Sequence, residues 1–300
     1  RKQAQTFSER LLLGLAVSKV LNSPFAAQKK EGELRTIQMS ADYDYGYGFC
    51  GALLTQFAFF LYQEVKRGDF DNILFASRDG FLMQKMYQML REYSQERVPE
   101  GIYFYTSRKA AVMTCIHNEA YINMLLDISG GMNPHSLLKE RFGLEENQQL
   151  TYDANQYEGM DQYVWAHADA IFKRAEEARR GYLKYMGKTS LQIGRKYAFM
   201  DFVSSGTSQK SLAKMAPFEL EGIYAGWNSS ESLKEAKVRA LYQDTSSYFL
   251  RHYKIIETFM TSKEPSLSHF DKAGAPVFQK LERSEQELAY IKEMQRACLD

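Results

Sequence analysis

The chain has 300 residues, 45% of them hydrophobic, and a formal net charge of +1 at neutral pH. That is enough apolar material for one large domain or two small ones, and the even charge balance gives no electrostatic reason to expect nucleic acid or an anionic membrane as an obligatory partner. The three cysteines, Cys50, Cys115 and Cys298, are far apart, form no CxxC pair and read as reduced cytoplasmic thiols, and no apolar run is long enough to span a membrane.

Residues 1–45 are expected to form an N-terminal helix and a polar linker. Leu11 to Leu21 reads as an amphipathic helix rather than a signal peptide, because no small-residue cleavage site follows it. The chain begins with Arg, which is expected of a piece of a longer polypeptide with further domains. Asp42 and Asp44 lie among Tyr and Gly and read as ordinary loop residues, the alternative being a mobile lid. An apolar helix from about Gly51 to Arg67 precedes a short buried strand, Ile73 to Ala76. Ser77-Arg78-Asp79-Gly80 then turns the chain into a helix over Phe81 to Tyr93.

A second strand, Ile102 to Tyr105, ends in Thr106-Ser107-Arg108-Lys109 and enters another helix. Residues 117–190 carry no strand-like run and read as a helical insertion: His117 to Ile128, Asn133 to Phe142, and a charged helix from Gln162 to Met186. The third strand, Tyr197 to Met200, runs into Asp201 and the loop Ser204-Ser205-Gly206-Thr207-Ser208, followed by a helix from Gln209 to Met215. Glu221 to Trp227 is a further strand. The segment 231–300 reads as irregular and then helical, ending in a helix from Ser284 to Cys298, with Ser284 and Glu287 at capping-box spacing.

Strand, turn and helix in repeated alternation predict an α/β fold with a mainly parallel sheet, its core formed by 46–116 and 191–230. Ligands of such sheets bind at the carboxyl ends of the strands, where all three turns lie. The 204–208 loop offers backbone N–H groups, hydroxyls and a helix N-terminus to a phosphate, although the same residues serve as simple N-caps. Asp201 stands where it can reach a sugar hydroxyl or a magnesium ion. In the first turn, Arg78 suits a phosphate or pyrophosphate, Asp79 suits magnesium or a general-base role, and Gly80 lets backbone approach a ligand. The competing reading is a type I turn with an internal Arg–Asp pair and a helix cap. Arg108 and Lys109 read either as an ordinary solvated helix start or as contacts to a bound anion, the second supported by their opposing the dipole of the helix they begin. His117 reads as a surface or core histidine, and Glu257, Glu264 and Ser266 as acceptor-pocket residues.

Two resemblances meet on these residues. Asp201 with Ser205-Gly206-Thr207-Ser208 resembles the second acid and the 5-phosphate loop of type I phosphoribosyltransferases, with Met200 where the first acid is expected. A longer pattern resembles a bacterial polysaccharide-biosynthesis domain: Phe75 to Gly80, Thr106 to Ala111, Asp201 to Gln209, and Ile256-Glu257 to Pro265-Ser266. That domain is commonly joined to a haloacid-dehalogenase-type phosphatase and to glycosyltransferase domains. The phosphatase's own Asp-x-Asp-x-Thr motif is absent.

The resemblance implies a phosphoribosyltransferase-like fold and a magnesium-dependent transfer of 5-phosphoribose from phosphoribosyl pyrophosphate to a glycan hydroxyl, on a free or a lipid-linked acceptor. The transfer would take place in the cytoplasm or at the inner face of the membrane, and the neighbouring phosphatase would leave ribofuranose. It implies catalytic roles for Asp79 and Arg78 and metal contacts from Asp79 and Asp201. Donor contacts would come from Ser77, Gly80, Arg108, Lys109, Asp201 and Ser204 to Ser208, and acceptor contacts from Glu257, Glu264 and Ser266. A phosphoryl-transfer enzyme with Asp79 as nucleophile, or a non-catalytic binding module, are the alternatives.

Overall fold

A computed structural model describes residues 42–127, 132–189, 191–215, 218–227, 237–243, 248–281 and 283–300. The expected helix and linker before residue 42 lie outside the described residues. In chain order the elements are α1 (Asp42–Tyr45), a π-helical stretch Gly46–Gly51, α2 (Ala52–Arg67), β1 (Asn72–Ala76), α3 (Gly80–Ser94), β2 (Glu100–Phe104) and α4 (Arg108–Met113). The insertion follows with α5 (Glu119–Asp127), α6 (Pro134–Phe142), α7 (Met160–Trp165) and α8 (Ala168–Lys188). Then come β3 (Lys196–Ser204), α9 (Thr207–Met215), β4 (Glu219–Trp227), β5 (Val238–Tyr242), α10 (Tyr248–Met260), the hairpin β6 (Leu267–Phe270) and β7 (Pro276–Phe278), and α11 (Glu285–Leu299).

The expected α/β fold is present: a five-stranded, all-parallel sheet in the order β2-β1-β3-β4-β5. Strand alternation divides the core between the two faces. Ile73 and Phe75 with Ala198, Met200 and Phe202 face α2, α3, α10 and α11. Leu74 and Ala76 with Tyr197 and Phe199 face α4, α8, α9 and the β6–β7 hairpin. The insertion packs around its own third cluster, including Phe142, Tyr163 and Ile171, joined to the sheet domain through Val112 and Met113 of α4. The strand order reverses direction between β1 and β3. This is the switch point where the loops after adjacent strands diverge to opposite faces and leave a crevice. Among the described residues no helix is long and apolar enough to cross a membrane.

Several expected boundaries move. β3 does not stop at Met200 but runs on to Ser204, because β4 continues beside it as far as Trp227 and keeps pairing its backbone after the apolar run has ended. The sheet also continues past residue 230, since Val238–Tyr242 adds β5, and the segment after it supplies α10 and a hairpin rather than irregular chain. The long helix expected over Gln162 to Met186 is two helices broken near His167. Here the buried imidazole bonds the Tyr163 carbonyl through Nδ1 and accepts the Leu150 N–H on Nε2. Asp42 and Asp44 are neither loop nor lid: they lie on α1, which packs on α11, with the Tyr43 hydroxyl donating to Asp300 Oδ2 at 2.8 Å. The capping box of α11 forms as expected, Ser284 and Glu287 bonding each other's backbone N–H.

α8 crosses the hairpin at closest approach through Gly181, where an added Cβ would stand 2.6 Å from the Phe270 carbonyl oxygen and 2.7 Å from that of Asp271. Both obstacles are backbone, so Gly181→Ala must push α8 off β6 and separate the stacked Tyr185 and Phe270 rings, now 4.2 Å apart between centroids. A loss of about 2 kcal/mol in denaturant unfolding is expected, in the range of overpacked cores. A midpoint equal to the parent's would show that the two elements slide apart freely.

Candidate functional site

A cleft of about 290 Å³ opens at the carboxyl ends of β1, β2 and β3. The three turns singled out in the sequence meet there. Its walls carry Ser77, Arg78 and Asp79 from the first turn, Arg108 and Lys109 from the second, and Asp201, Ser204 and Ser208 from the third. Glu257 of α10 and Ser266 before β6 complete the ring of polar groups. Pairing of Phe75 with Met200 places Asp201 one residue beyond, level with Ala76 at the end of β1, so a carboxylate inside a strand still reaches the sheet's edge. Met200, at the position of the expected first acid, is fully buried on the opposite face of the sheet.

The first turn is a braced element. Arg78 has φ +73°, in the left-handed region that a non-glycine residue adopts only when its surroundings hold it there. They do so: its N–H donates to the Tyr103 hydroxyl at 2.9 Å, and its guanidinium bonds the hydroxyls of Thr261 and Ser266. Ser77 Oγ donates to the Thr106 carbonyl at 2.8 Å and accepts the Thr106 N–H at 3.1 Å, which ties the first turn to the second. Gly80 serves its own strand rather than a ligand, since a Cβ there would meet the Phe75 backbone at 2.8 Å. Asp79 occupies the N-cap position of α3 but makes no capping hydrogen bond, and its neighbour Arg78 is bonded elsewhere. The cap of the ordinary-turn reading is therefore absent, and the Arg78–Asp79 pair persists only as an attraction without a hydrogen bond, which leaves the Asp79 carboxyl to the cleft.

In the cleft it meets two others. Burial pushes the Asp79 carboxyl well above the usual carboxylate range, the charges of Asp201 and Glu257 and a hydrogen bond with Glu257 push it further, and Arg78 offsets only part. Burial also raises Asp201, to about 6, with a contribution from Glu257; the Phe202 N–H, the Ser204 hydroxyl and Arg108 hold it down. Three carboxyl groups thus crowd one space. Of the cations, Lys109 lies 3.7 Å from Glu140 at the rim, and Arg108 is exposed and forms no ion pair among the described residues.

The third turn divides its work. Ser204 and Ser208 face the cleft, while Ser205 and Thr207 bond each other at 3.1 Å and the Gly206 N–H donates to Ser204 Oγ at 3.1 Å. Gly206 has φ +76°, and a Cβ there would strike the Trp227 ring at 2.7 Å, so only glycine fits. Gln209 secures the helix behind the turn, donating to the carbonyls of Leu220 and Lys237 and accepting from the Tyr224 hydroxyl.

Of the expected acceptor residues, Glu257 proves to be the third carboxyl of the cleft, Ser266 is a partner of Arg78, and Glu264 lines a separate hollow beside it. His117 is exposed and bonds the Cys115 carbonyl, away from the cleft. Sequence reasoning missed Gln279 in the cleft wall and Tyr103 as the brace of Arg78. Both depend on pairings, β6 with β7 and the first turn with β2, that no local pattern announces.

Among the described residues no three His, Cys, Asp or Glu side chains stand so as to enclose a metal ion by themselves. Magnesium asks for less: one or two carboxylates, with water and substrate oxygens completing the shell. The hard oxygen donors of Asp79 and Asp201 fit that demand, and neither His nor Cys lines the cleft. Compared with models of known protein families and with curated proteins, the chain matches none. Fold and site define its class as a doubly wound α/β protein with an acid-and-base cleft at the sheet's switch point.

Proposed function

We propose that the cleft transfers 5-phosphoribose from phosphoribosyl pyrophosphate to a sugar hydroxyl of a glycan, in the making of a bacterial surface polysaccharide that contains ribofuranose. The observation that carries this reading is the meeting of Asp79, Asp201 and Glu257 with Arg108, Lys109 and the Ser204–Ser208 turn in one crevice. Carboxyl groups forced together at this cost are expected where a polyhydroxylated, polyanionic substrate and its cation relieve them. The resemblance to the polysaccharide-biosynthesis domain supports the choice of substrate.

In this reading the 204–208 turn holds the 5-phosphate through the hydroxyls of Ser204 and Ser208 and the N-terminus of α9. Asp201 receives the ribose hydroxyls. Arg108 neutralises the pyrophosphate, and Arg78, tied to Thr261 and Ser266, adds its charge and keeps the first turn in shape beside it. The acceptor oxygen attacks the anomeric carbon, the bond from that carbon to pyrophosphate breaks, and pyrophosphate leaves with the electron pair. The acceptor proton passes to the Asp79–Glu257 pair, for which the raised affinity of Asp79 suits it. Magnesium, held by Asp79 and Asp201, would supply charge neutralisation to the leaving group. A single displacement from the α donor gives a β-ribofuranoside. Asp79 as a phosphoryl nucleophile is disfavoured, because the Asp-x-Asp-x-Thr spacing of such phosphatases is absent from the sequence. Phosphatase and glycosyltransferase domains on the same polypeptide, working in the cytoplasm or at the inner face of the membrane, complete the proposal.

The test is incubation with magnesium, phosphoribosyl pyrophosphate and simple methyl glycosides, followed by mass spectrometry. An acceptor heavier by one phosphoribosyl unit is expected. Arg108→Ala should weaken donor binding about tenfold, a loss of about 1.4 kcal/mol suited to one charged contact. Failure of the parent to bind the donor in the presence of magnesium would sink the proposal.

A further inference from the structure

Two smaller hollows flank the cleft, and one stretch of chain shows how they are arranged. Residues 261–266 line a hollow of about 100 Å³, Ser266 and Leu267 line the cleft, and Ser268 to Phe270 line a second cavity of about 200 Å³. One segment therefore passes the three spaces in order, with the cleft between the two hollows along the chain. The turns repeat the order: Arg78 is shared by the cleft and the first hollow, Lys109 by the cleft and the second.

Their electrostatics differ. The hollow at Arg78 adds Lys263, Lys280 and Arg283 against a single carboxylate, Glu264. The cavity at Lys109 is balanced: Lys109 and Arg174 are matched by Glu145 and Glu177, with Arg174 lying 3.6 Å from Glu177. Gln148 and His269 add groups that both donate and accept, and Met113, Ala110 and Phe270 supply apolar surface. Burial and the neighbouring charge of Arg174 hold the His269 imidazole below its usual pKa, so at neutral pH it is an uncharged two-way hydrogen-bonding group. Paired charges, amide and imidazole over an apolar floor suit a ring that is apolar on its face and hydroxylated around its edge. With its cations matched by glutamates, this cavity has no charge excess to draw a phosphate, whereas the hollow at Arg78 has one.

The geometry points to the Lys109 cavity as the acceptor subsite, binding one neutral sugar ring of the glycan and presenting its hydroxyl to the cleft past Lys109. The word acceptor rests on the transferase reading; the sugar site itself does not. An in-line displacement needs nucleophile and leaving group on opposite sides of the reacting carbon. The neutral and basic flanks provide that separation, with pyrophosphate departing toward Arg78. The insertion, which contributes Glu145, Gln148, Arg174 and Glu177, becomes the part of the molecule that chooses the acceptor.

Saturation-transfer NMR with methyl glycosides of glucose, galactose and mannose, and with methyl glucuronoside and glucose 1-phosphate as charged controls, tests this without turnover. At least one neutral glycoside should bind, more tightly than its charged counterparts. Glu177→Gln and His269→Ala, with near-UV circular dichroism like the parent's, should each weaken it fivefold or more and leave phosphoribosyl pyrophosphate binding unchanged. Binding of the charged sugars alone, no binding of any neutral glycoside, or neutral binding untouched in both variants would each overturn the assignment. Sugar binding without donor binding would uphold the subsite and remove the transferase reading instead.

Discussion

Asp79→Asn should lower the turnover of phosphoribosyl transfer about a thousandfold and leave the fold intact, in the range of a lost general base. The amide keeps the size of the carboxyl but can neither take the acceptor proton nor hold a cation. Stability should not fall and can rise by about 1 kcal/mol, because the change removes one member of a crowded carboxyl trio and no capping bond of α3 is lost. A purely structural Asp79 would give the reverse pattern, lower stability with activity scaled to the folded fraction. Turnover within tenfold of the parent, measured on protein with the parent's unfolding midpoint, would remove Asp79 from the chemistry.

The second large effect is in the pH dependence of stability. Asp201 titrates near 3.8 in the unfolded chain and at about 6 in the folded one. An acid whose folded pKa is the higher binds more protons folded than unfolded between the two values, so its contribution to stability is present below about 4 and is lost as pH rises to about 6. The shift corresponds to about 2 kcal/mol once its partial exposure is allowed for. Metal-free protein should therefore lose stability between these values, beyond the change in Asp201→Asn, which lacks the titration. Carboxylates held low in the fold, such as Asp271 and Glu293, act in the opposite sense and are common to both proteins, so the difference between the two curves reports Asp201 together with its effect on Asp79. Above pH 7, where the trio carries its greatest charge, magnesium should restore the loss in the parent and do much less at pH 5. Parallel curves for parent and variant would show that Asp201 is solvated, and the same magnesium effect at both pH values would place the ion elsewhere.

The sheet and the meeting of its loops were legible because strand-ending turns with uncommon residues stood out against apolar runs. Arg78-Asp79 after Phe75-Ala76 is such a contrast, and parallel topology brings carboxyl ends together whatever their separation in sequence. What local pattern could not show was where pairing continues without apolar residues. Asp201 looked like the end of β3 because a charge ended the hydrophobic run, yet β4 carries the strand three residues further. Gly80 looked like room for a ligand and proves to be room for Phe75, since a missing side chain does not say which neighbour needs the space. Glu257 was noticed, but its place beside Asp79 depends on how α10 lies over the sheet, which its own residues do not encode.

The long excursion between β2 and β3 bears on how this architecture can diversify. Closing a loop costs entropy that grows only with the logarithm of its length. A crossover of about ninety residues is therefore dearer than one of about twenty by only about 1.3 kcal/mol, and the insertion offsets that with its own buried cluster. β1 and β3 pair in the same register either way. The arms that hold the carboxyl trio are thus insulated from the segment that walls the cavity beside Lys109. Substitutions, lengthenings or exchanges between α4 and α8 can accumulate with little penalty to the carboxyl cleft, so in the proposed transferase the molecule separates a part that must stay constant from a part free to drift toward new acceptors.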